Sequence, residues 1–425
     1  MSLFSFFRFE EKTDKKIKIA ANLSFLACFG AAGWIASTMN FSAVELKLNV
    51  LDFGFILTSN ELAVIFGFLI SLLLSYISES RLLGILVSMA GTGIILTALA
   101  GFENPIFGFL YSIFNGIHPF AINMGIFAFL LSLSTEYFEM SRDSLVKHST
   151  DSSMTAIILS KISAYSLLGT AAGYLVVTIM GFFTFDYLYY VLYGLLGLPL
   201  IVIGIMSSKQ AEAAKALKEN VELIIRGKFY NFYILTFCTA ALNIIMVFFG
   251  AFFLVYKFEM SLGFIGLIFL LHSGLVFFLR RKATELMKSK GEDLTMKIRY
   301  AVSLLFFIIL LIASAPFVDK DSFMKYVMLG ILALYGTTTL FDNAIKSFIS
   351  YFASPNEQRS NMMIYTRLIQ IAKIIIPISS GILWLYLDFY AVFAFGAILS
   401  AVCLLVAFKI YAAYNDSGNN PAEEG

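Results

Sequence analysis

Charge is what this chain has least of. Of its 425 residues 14% are Asp, Glu, Lys or Arg, against roughly 25% in a soluble domain. It therefore cannot cover itself with a water-facing surface. Cysteine is scarce as well. Cys28, Cys238 and Cys403 fall in different apolar runs without paired spacing, which argues against a disulfide framework or a metal site and for small buried hydrophobes. There is no G-x-x-x-x-G-K-[ST] loop, no H-E-x-x-H and no serine elbow, so neither nucleotide binding nor hydrolytic chemistry is indicated. No cofactor is implied, and an enzyme is not expected. The formal net charge is +2, which gives no reason to expect a nucleic-acid partner.

What the chain has instead is hydrocarbon. Hydrophobic residues make up 59% of it, 45 of them Phe, and the mean hydropathy is +0.84. Long apolar runs such as Gly84–Gly101, Ile157–Gly181 and Tyr300–Phe317 match the roughly 20 residues a helix needs to cross a bilayer. The pattern predicts an all-α integral membrane protein with spans at 19–42, 54–76, 82–101, 106–134, 153–180, 185–206, 231–255, 261–279, 299–317, 323–349, 363–385 and 388–411. These make twelve transmembrane helices. The first run shows no small-x-small cleavage site and is expected to stay as a membrane anchor.

Lys and Arg set the orientation. With the N-terminus inside, 22 basic residues fall in cytoplasmic segments, including Arg280, Arg281, Lys282, Lys297 and Arg299. Only Lys47, Lys257, Lys320 and Lys325 fall outside. Both termini are thus expected in the cytoplasm, of a bacterial inner membrane, with 280–298 as a cytoplasmic loop.

The longest internal polar stretch, 207–230, follows six spans and precedes six more. It divides the chain into an N-terminal bundle (1–206), a cytoplasmic linker, and a C-terminal bundle with a short polar tail (231–425). The linker reads equally as an amphipathic surface helix or a solvated connection. An offset of 212 residues lays Lys147 on Arg359, Ser149 on Asn361, Lys161 on Lys373 and Gly169 on Gly381. In this register a basic loop residue precedes a helix with a lysine inside it, in both halves. Parallel six-helix repeats are a known transporter construction.

With 6+6 spans and a central cytoplasmic linker, the chain resembles the major facilitator superfamily over nearly its whole length. The "SYISESRLLG" stretch, Ser75 to Gly84, is similar to that family's loop between spans 2 and 3. Glu79 stands for its aspartate and Arg81 for a basic partner, while the glycines and paired basic residues are missing. "SPNEQRSNMMI" resembles the P-x-E-x-R pattern through Pro355, Glu357 and Arg359, and Gly169-x-x-x-Gly173 resembles an exporter motif without its proline. The resemblance implies alternating access, with spans 5 and 11 bordering the central cavity. Glu79, Arg81, Lys346 and Arg359 would be gating or structural charges.

A charge well inside a span costs several kcal/mol, so each requires a reason. Lys161 and Lys373 either contact a ligand or neutralise a carboxylate. Asp342 and Lys346, four apart, share a helix face with Tyr335 and Thr338. Lys161, Lys346, Arg367 and Lys373 against Glu61 and Asp342 give +4 −2 = +2, an excess that an anionic ligand would complete. Tyr111, Asn115 and His118 would form a stripe before Pro119, which weakens the helix there. His118 is either a proton relay or a neutral hydrogen-bonded side chain. Thr236, Thr239 and Asn243 share a face of span 7.

The expectation is a monomeric secondary transporter of a small organic anion, coupled to a proton or another ion. Lys161, Lys373, Asn115, His118, Asn243 and Tyr335 would bind substrate; Asp342 or Glu61 would carry the proton. The rivals are an exporter of amphipathic compounds or drugs, and a transporter-like sensor.

Overall fold

The computed structural model describes residues 15–68, 76–102, 105–150, 152–183, 185–209, 229–342, 345 and 355–416, and no strand occurs among them. Ten of the helices are long and apolar enough to cross a membrane, and the chain is an integral membrane protein. They are α1 (Lys15–Glu45), α3 (Glu79–Thr97), α4 (Pro119–Ser149), α5 (Ile157–Gly181, with its first turns from Ser152), α6 (Leu188–Ser208), α7 (Tyr230–Phe258), α8 (Leu262–Met287), α9 (Ser289–Ala313), α11 (Ser360–Leu387, from Pro355) and α12 (Phe389–Lys409, on to Asp416). Two further helices, α2 (Val50–Leu62) and α10 (Met324–Thr339), are shorter. The remainders of their predicted spans lie largely outside the described residues, as does most of the 207–230 linker.

Several boundaries differ from expectation. Predicted span 4 does not run from 106. A short helix, Gly108–Ile113, ends in a turn, and α4 starts afresh at Pro119. Proline opens the helix here rather than weakening it, because the first helical N–H has no intrahelical partner to lose. The helix then continues to Ser149, so Lys147 lies in its last turn. Arg359 lies inside a helix too, so neither repeat-matched basic residue is in a loop. The 280–298 segment is helical, broken only at Gly291, whose φ of 77° and ψ of 163° a β-carbon would resist.

The chain divides into two compact units, Met1–Glu219 with Met260–Ser273, and Asn220–Glu259 with Gly274–Gly425. In the first, α1 packs along α5, α3 between α4 and α6, and α2 on α4. The α1–α5 contact is built on glycine: a β-carbon at Gly169 would sit 2.0 Å from the Phe25 carbonyl oxygen, and one at Gly173 2.3 Å from that of Phe29. Backbones this close give membrane helices their dispersion contacts where no hydrophobic force operates between them. Gly169→Leu is expected to cost at least about 1–3 kcal/mol of overpacking and to lower the melting temperature in detergent. Gly194→Leu, in open space, should leave it unchanged; equal melting of the two variants would refute this account of the contact.

Polar ties secure the rest of this unit. Trp34 Nε1 donates to Thr97 Oγ1 at 3.0 Å, and Asn40 joins Tyr189 to the Met260 carbonyl at 2.7 and 2.9 Å. Asn40 immediately precedes a π-helical turn, Phe41–Glu45.

In the second unit α7 packs against α11 and α12. Trp384 of α11 meets Phe249, Phe252 and Phe253 of α7, and Phe389 beside it. Lys257, expected in a loop, lies in the last turn of α7 and donates to the Ala313, Ser314 and Ala315 carbonyls at 3.3, 3.5 and 3.0 Å. It neutralises the negative end of α9. A second π-helical turn, Ile245–Phe249, follows Asn243 within α7. Such turns are frequent at functional sites.

Candidate functional site

Two contacts fix the register of α7 against α11. The Phe232 and Tyr365 rings lie 6.0 Å apart, and Tyr233 donates to Asn361 Oδ1 at 2.8 Å. Further along, Phe252 meets Trp384 at 5.7 Å. The two helices therefore run parallel and in step. Lys373, eight residues beyond Tyr365, is level with Ala240, between Thr239 and Asn243. A cavity of about 200 Å³ opens there, lined by Thr236, Thr239, Ala240, Asn243, Ile244, Val247, Phe248, Asp342, Ile345, Tyr365, Ile369 and Lys373. One water needs only about 10–15 Å³ on the same measure, so the space admits a small molecule.

The expected shared face on span 7 exists: Thr236, Thr239 and Asn243 all border this cavity. Thr236 donates to the Phe232 carbonyl at 2.9 Å and Thr239 is bonded to Tyr300 at 2.8 Å. Asn243 Oδ1 accepts from Tyr335 at 3.1 Å and from Arg299 Nη2 at 3.5 Å. Two donors on one amide oxygen orient the side chain.

Arg299 is the residue that sequence reasoning missed. Counted among the cytoplasmic basic residues, it is fully buried and ion-paired with Asp342. Its Nη1 also donates to the Thr338 carbonyl at 3.1 Å. Asp342 was paired with Lys346 on helical spacing; its partner is Arg299, and Lys346 lies outside the described residues. A signal was available. Thr295, Arg299 and Ser303 recur every four residues, all fully buried, on the face that continues through Tyr300 and Phe307 into the apolar run. A topology-setting arginine would have no reason to keep that period.

Of the expected binding residues, Asn243, Tyr335 and Lys373 come together, and with them Asp342, the expected proton carrier. Lys161 belongs to the other unit, half-buried on α5 beside a cluster of Ile17, Ala21, Val146, Ile158 and Ile162. The Tyr111–Asn115–His118 stripe does not form. Tyr111 donates to Asn123 at 2.6 Å, Asn115 is exposed in the turn, and His118 is the exposed N-cap of α4, its Nδ1 accepting from the Phe120 N–H at 3.2 Å. The backbone N–H of His118 donates to Asp52, a buried carboxylate that also closes the capping box at the start of α2. Glu61 is half-buried and accepts from Asn60 at 3.3 Å.

Glu79 opens α3, buried, and accepts from Ser144 and from His148, whose Nδ1 is 2.9 Å away, both on α4. Arg81 is exposed. Glu79 and Arg299 are both buried charges bonded to the next helix along the chain, with opposite sign. Cys238 and Cys403, read as unrelated, have their thiols within hydrogen-bonding reach of each other, where α7 meets α12. Among the described residues no group of three or more His, Cys, Asp or Glu could hold a metal ion.

No family model matches the chain, and no curated protein matches it by sequence. Solved structures do match in fold. A bacterial homologue of the iron transporter ferroportin, in an inward-facing state, superposes with a TM-score of 0.73 at 13% identity, covering 96% of this chain and 99% of that one. The nucleoside transporter NupG gives 0.63 at 16% identity over 94% and 99%. A proton-dependent oligopeptide transporter gives 0.64 at 10% over 94% and 99%. The chain shares the fold of these transporters.

Proposed function

We propose that the chain is a secondary transporter that moves a small organic anion by alternating access, with a proton carried at Asp342. The supporting observation is the cavity beside α7, where Lys373 lines the wall with Asp342 and the wholly buried Arg299 stands behind it. These three carry a formal +2 −1 = +1. A surplus of positive charge beside the cavity favours a bound anion, which supports an anionic substrate. Protonating Asp342 frees Arg299 from its partner, which links proton to anion.

In this reading twelve spans form two six-helix halves, 1–206 and 231–425, joined by a cytoplasmic linker at 207–230. Both termini face the cytoplasm of a bacterial inner membrane, and the transporter works as a monomer. Lys161 is the first half's contribution to the anion path, and Glu79, Arg81, Lys346 and Arg359 serve as cytoplasmic gating or structural charges. The test is uptake into vesicles reconstituted with purified protein, using a labelled organic anion that protein-free vesicles exclude. Acidifying the outside should drive accumulation, and a protonophore should abolish it. Accumulation indifferent to the pH gradient would remove the proton from the scheme.

A further inference from the structure

The end of α8 passes from hydrocarbon to charge within one turn. From Leu262 to Leu279 the chain has no Asp, Glu, Lys or Arg, and then reads Arg280, Arg281, Lys282. At 1.5 Å per residue that apolar run is about 27 Å long, close to the roughly 30 Å of hydrocarbon in a bilayer. The three basic residues therefore stand at headgroup height. All three are exposed, as are Phe277 and Phe278 just before them. Successive helical residues are about 100° apart, so Gly274, Phe278, Arg281 and Lys282 share one face. Ala283, on the other side of the helix, is buried. The shared face turns away from the protein: Phe278 is 76% exposed, and a β-carbon at Gly274 would meet nothing within 4 Å.

Helical side chains lean back toward the N-terminus, so Arg281 and Lys282 reach over the turn that holds Phe278. Their charge is not cancelled locally. Between 280 and 290 the sequence has five basic residues and one acid, Glu285. Glu285 accepts from Arg281 at 2.9 Å, but the two side chains are 61% and 91% exposed, and such a pair contributes little. Arg280 and Lys282 form no ion pair among the described residues. A zwitterionic headgroup would bring its own ammonium to this surplus and be repelled. An anionic one brings only the phosphate.

We propose that this end of α8 is a binding site for an anionic phospholipid such as phosphatidylglycerol. Arg281 and Lys282 hold the phosphate and Arg280 adds to the field, while an acyl chain runs back along Phe278 and over the open surface at Gly274. Each basic residue close to an anionic headgroup strengthens binding roughly fivefold. The apolar contact makes the ligand a lipid rather than free phosphate.

The experiment is thermal unfolding of the purified full chain in a neutral detergent at about 0.15 M salt, titrated with phosphatidylglycerol, phosphatidylcholine or inorganic phosphate. Phosphatidylglycerol should raise the melting temperature, and the other two at the same concentration should not. Lys282→Gln should need roughly fivefold more phosphatidylglycerol for the same shift, and the triple change Arg280→Gln, Arg281→Gln, Lys282→Gln on the order of 100-fold more. Should the triple variant fail to fold, Arg281→Gln and Lys282→Gln singly carry the measurement, with Lys282→Arg expected to respond as wild type. Lys290→Gln is the control. It lies about 12 Å beyond Lys282, past the screening length of about 8 Å at this ionic strength, and should also respond as wild type. An equal loss in Lys290→Gln would replace the site with a diffuse field. Equal stabilisation by phosphatidylcholine would leave only apolar coverage, and stabilisation by phosphate a headgroup site without a lipid. Any of these three results would overturn the proposal, as would a wild-type response in Lys282→Gln.

Discussion

Arg299→Gln should destabilise the folded protein by about 3–5 kcal/mol, because it strands a carboxylate in a place built for an ion pair. Arg299 is fully buried, Asp342 is its charge partner, and it also bonds to Thr338 and Asn243 and lies over the Tyr300 ring. Asp342→Asn alone should cost a similar amount for the opposite reason, leaving a guanidinium without its counter-ion. The double variant Arg299→Gln, Asp342→Asn removes both charges while keeping a polar side chain at each position. It should recover part of the loss, since neither charge is then left without a partner. Thermal unfolding in one detergent, on all four proteins, gives the coupling energy directly. Additive losses would mean that the two residues are not partners.

The second large effect concerns Lys373. Lys373→Gln removes one charged donor from the cavity, and hydrogen bonds to charged groups contribute about 1.5–3 kcal/mol. Anion affinity should fall by roughly 10- to 150-fold with the fold retained. Lys373→Arg should restore charge but not full affinity, since a planar fork replaces a compact ammonium. Lys161→Gln provides the comparison in the other half. If both lysines serve one anion path, each change weakens binding. A drop in melting temperature with unchanged affinity would instead make either lysine a structural charge.

The sequence made the membrane class plain, because hydropathy and span length are set by the bilayer and need no tertiary contact. It also located Asn243, Tyr335, Asp342 and Lys373 as polar groups out of place in hydrocarbon. What it hid was partnership. Asp342 and Lys346 stand four apart, and a spacing argument joins neighbours on one helix. The actual partner, Arg299, comes from another helix and sits at the end of the charged run "KSKGEDLTMKIRY", where it passes for one more topology charge. Pro119 misled for a related reason. In a hydrophobic stretch proline reads as a weakened helix, and only the His118 N-cap with its Phe120 bond shows that a helix begins there. The mutual contact of Cys238 and Cys403 was likewise beyond reach, since it depends on how α7 meets α12. The close approach at Gly169 and Gly173 was legible as a pattern, though its partner, the backbone of α1, was not.

The most direct test of anion transport coupled at the Arg299–Asp342 pair compares wild-type protein with the Arg299→Gln, Asp342→Asn variant in reconstituted vesicles. A labelled anion that protein-free vesicles exclude is followed under an inward proton gradient, and then in exchange with no gradient. Wild-type protein should accumulate the anion above its outside concentration. The variant, having no proton site, should exchange it without accumulating it. Accumulation by the variant to the wild-type level would contradict the account, and so would wild-type vesicles that neither accumulate nor exchange any anion.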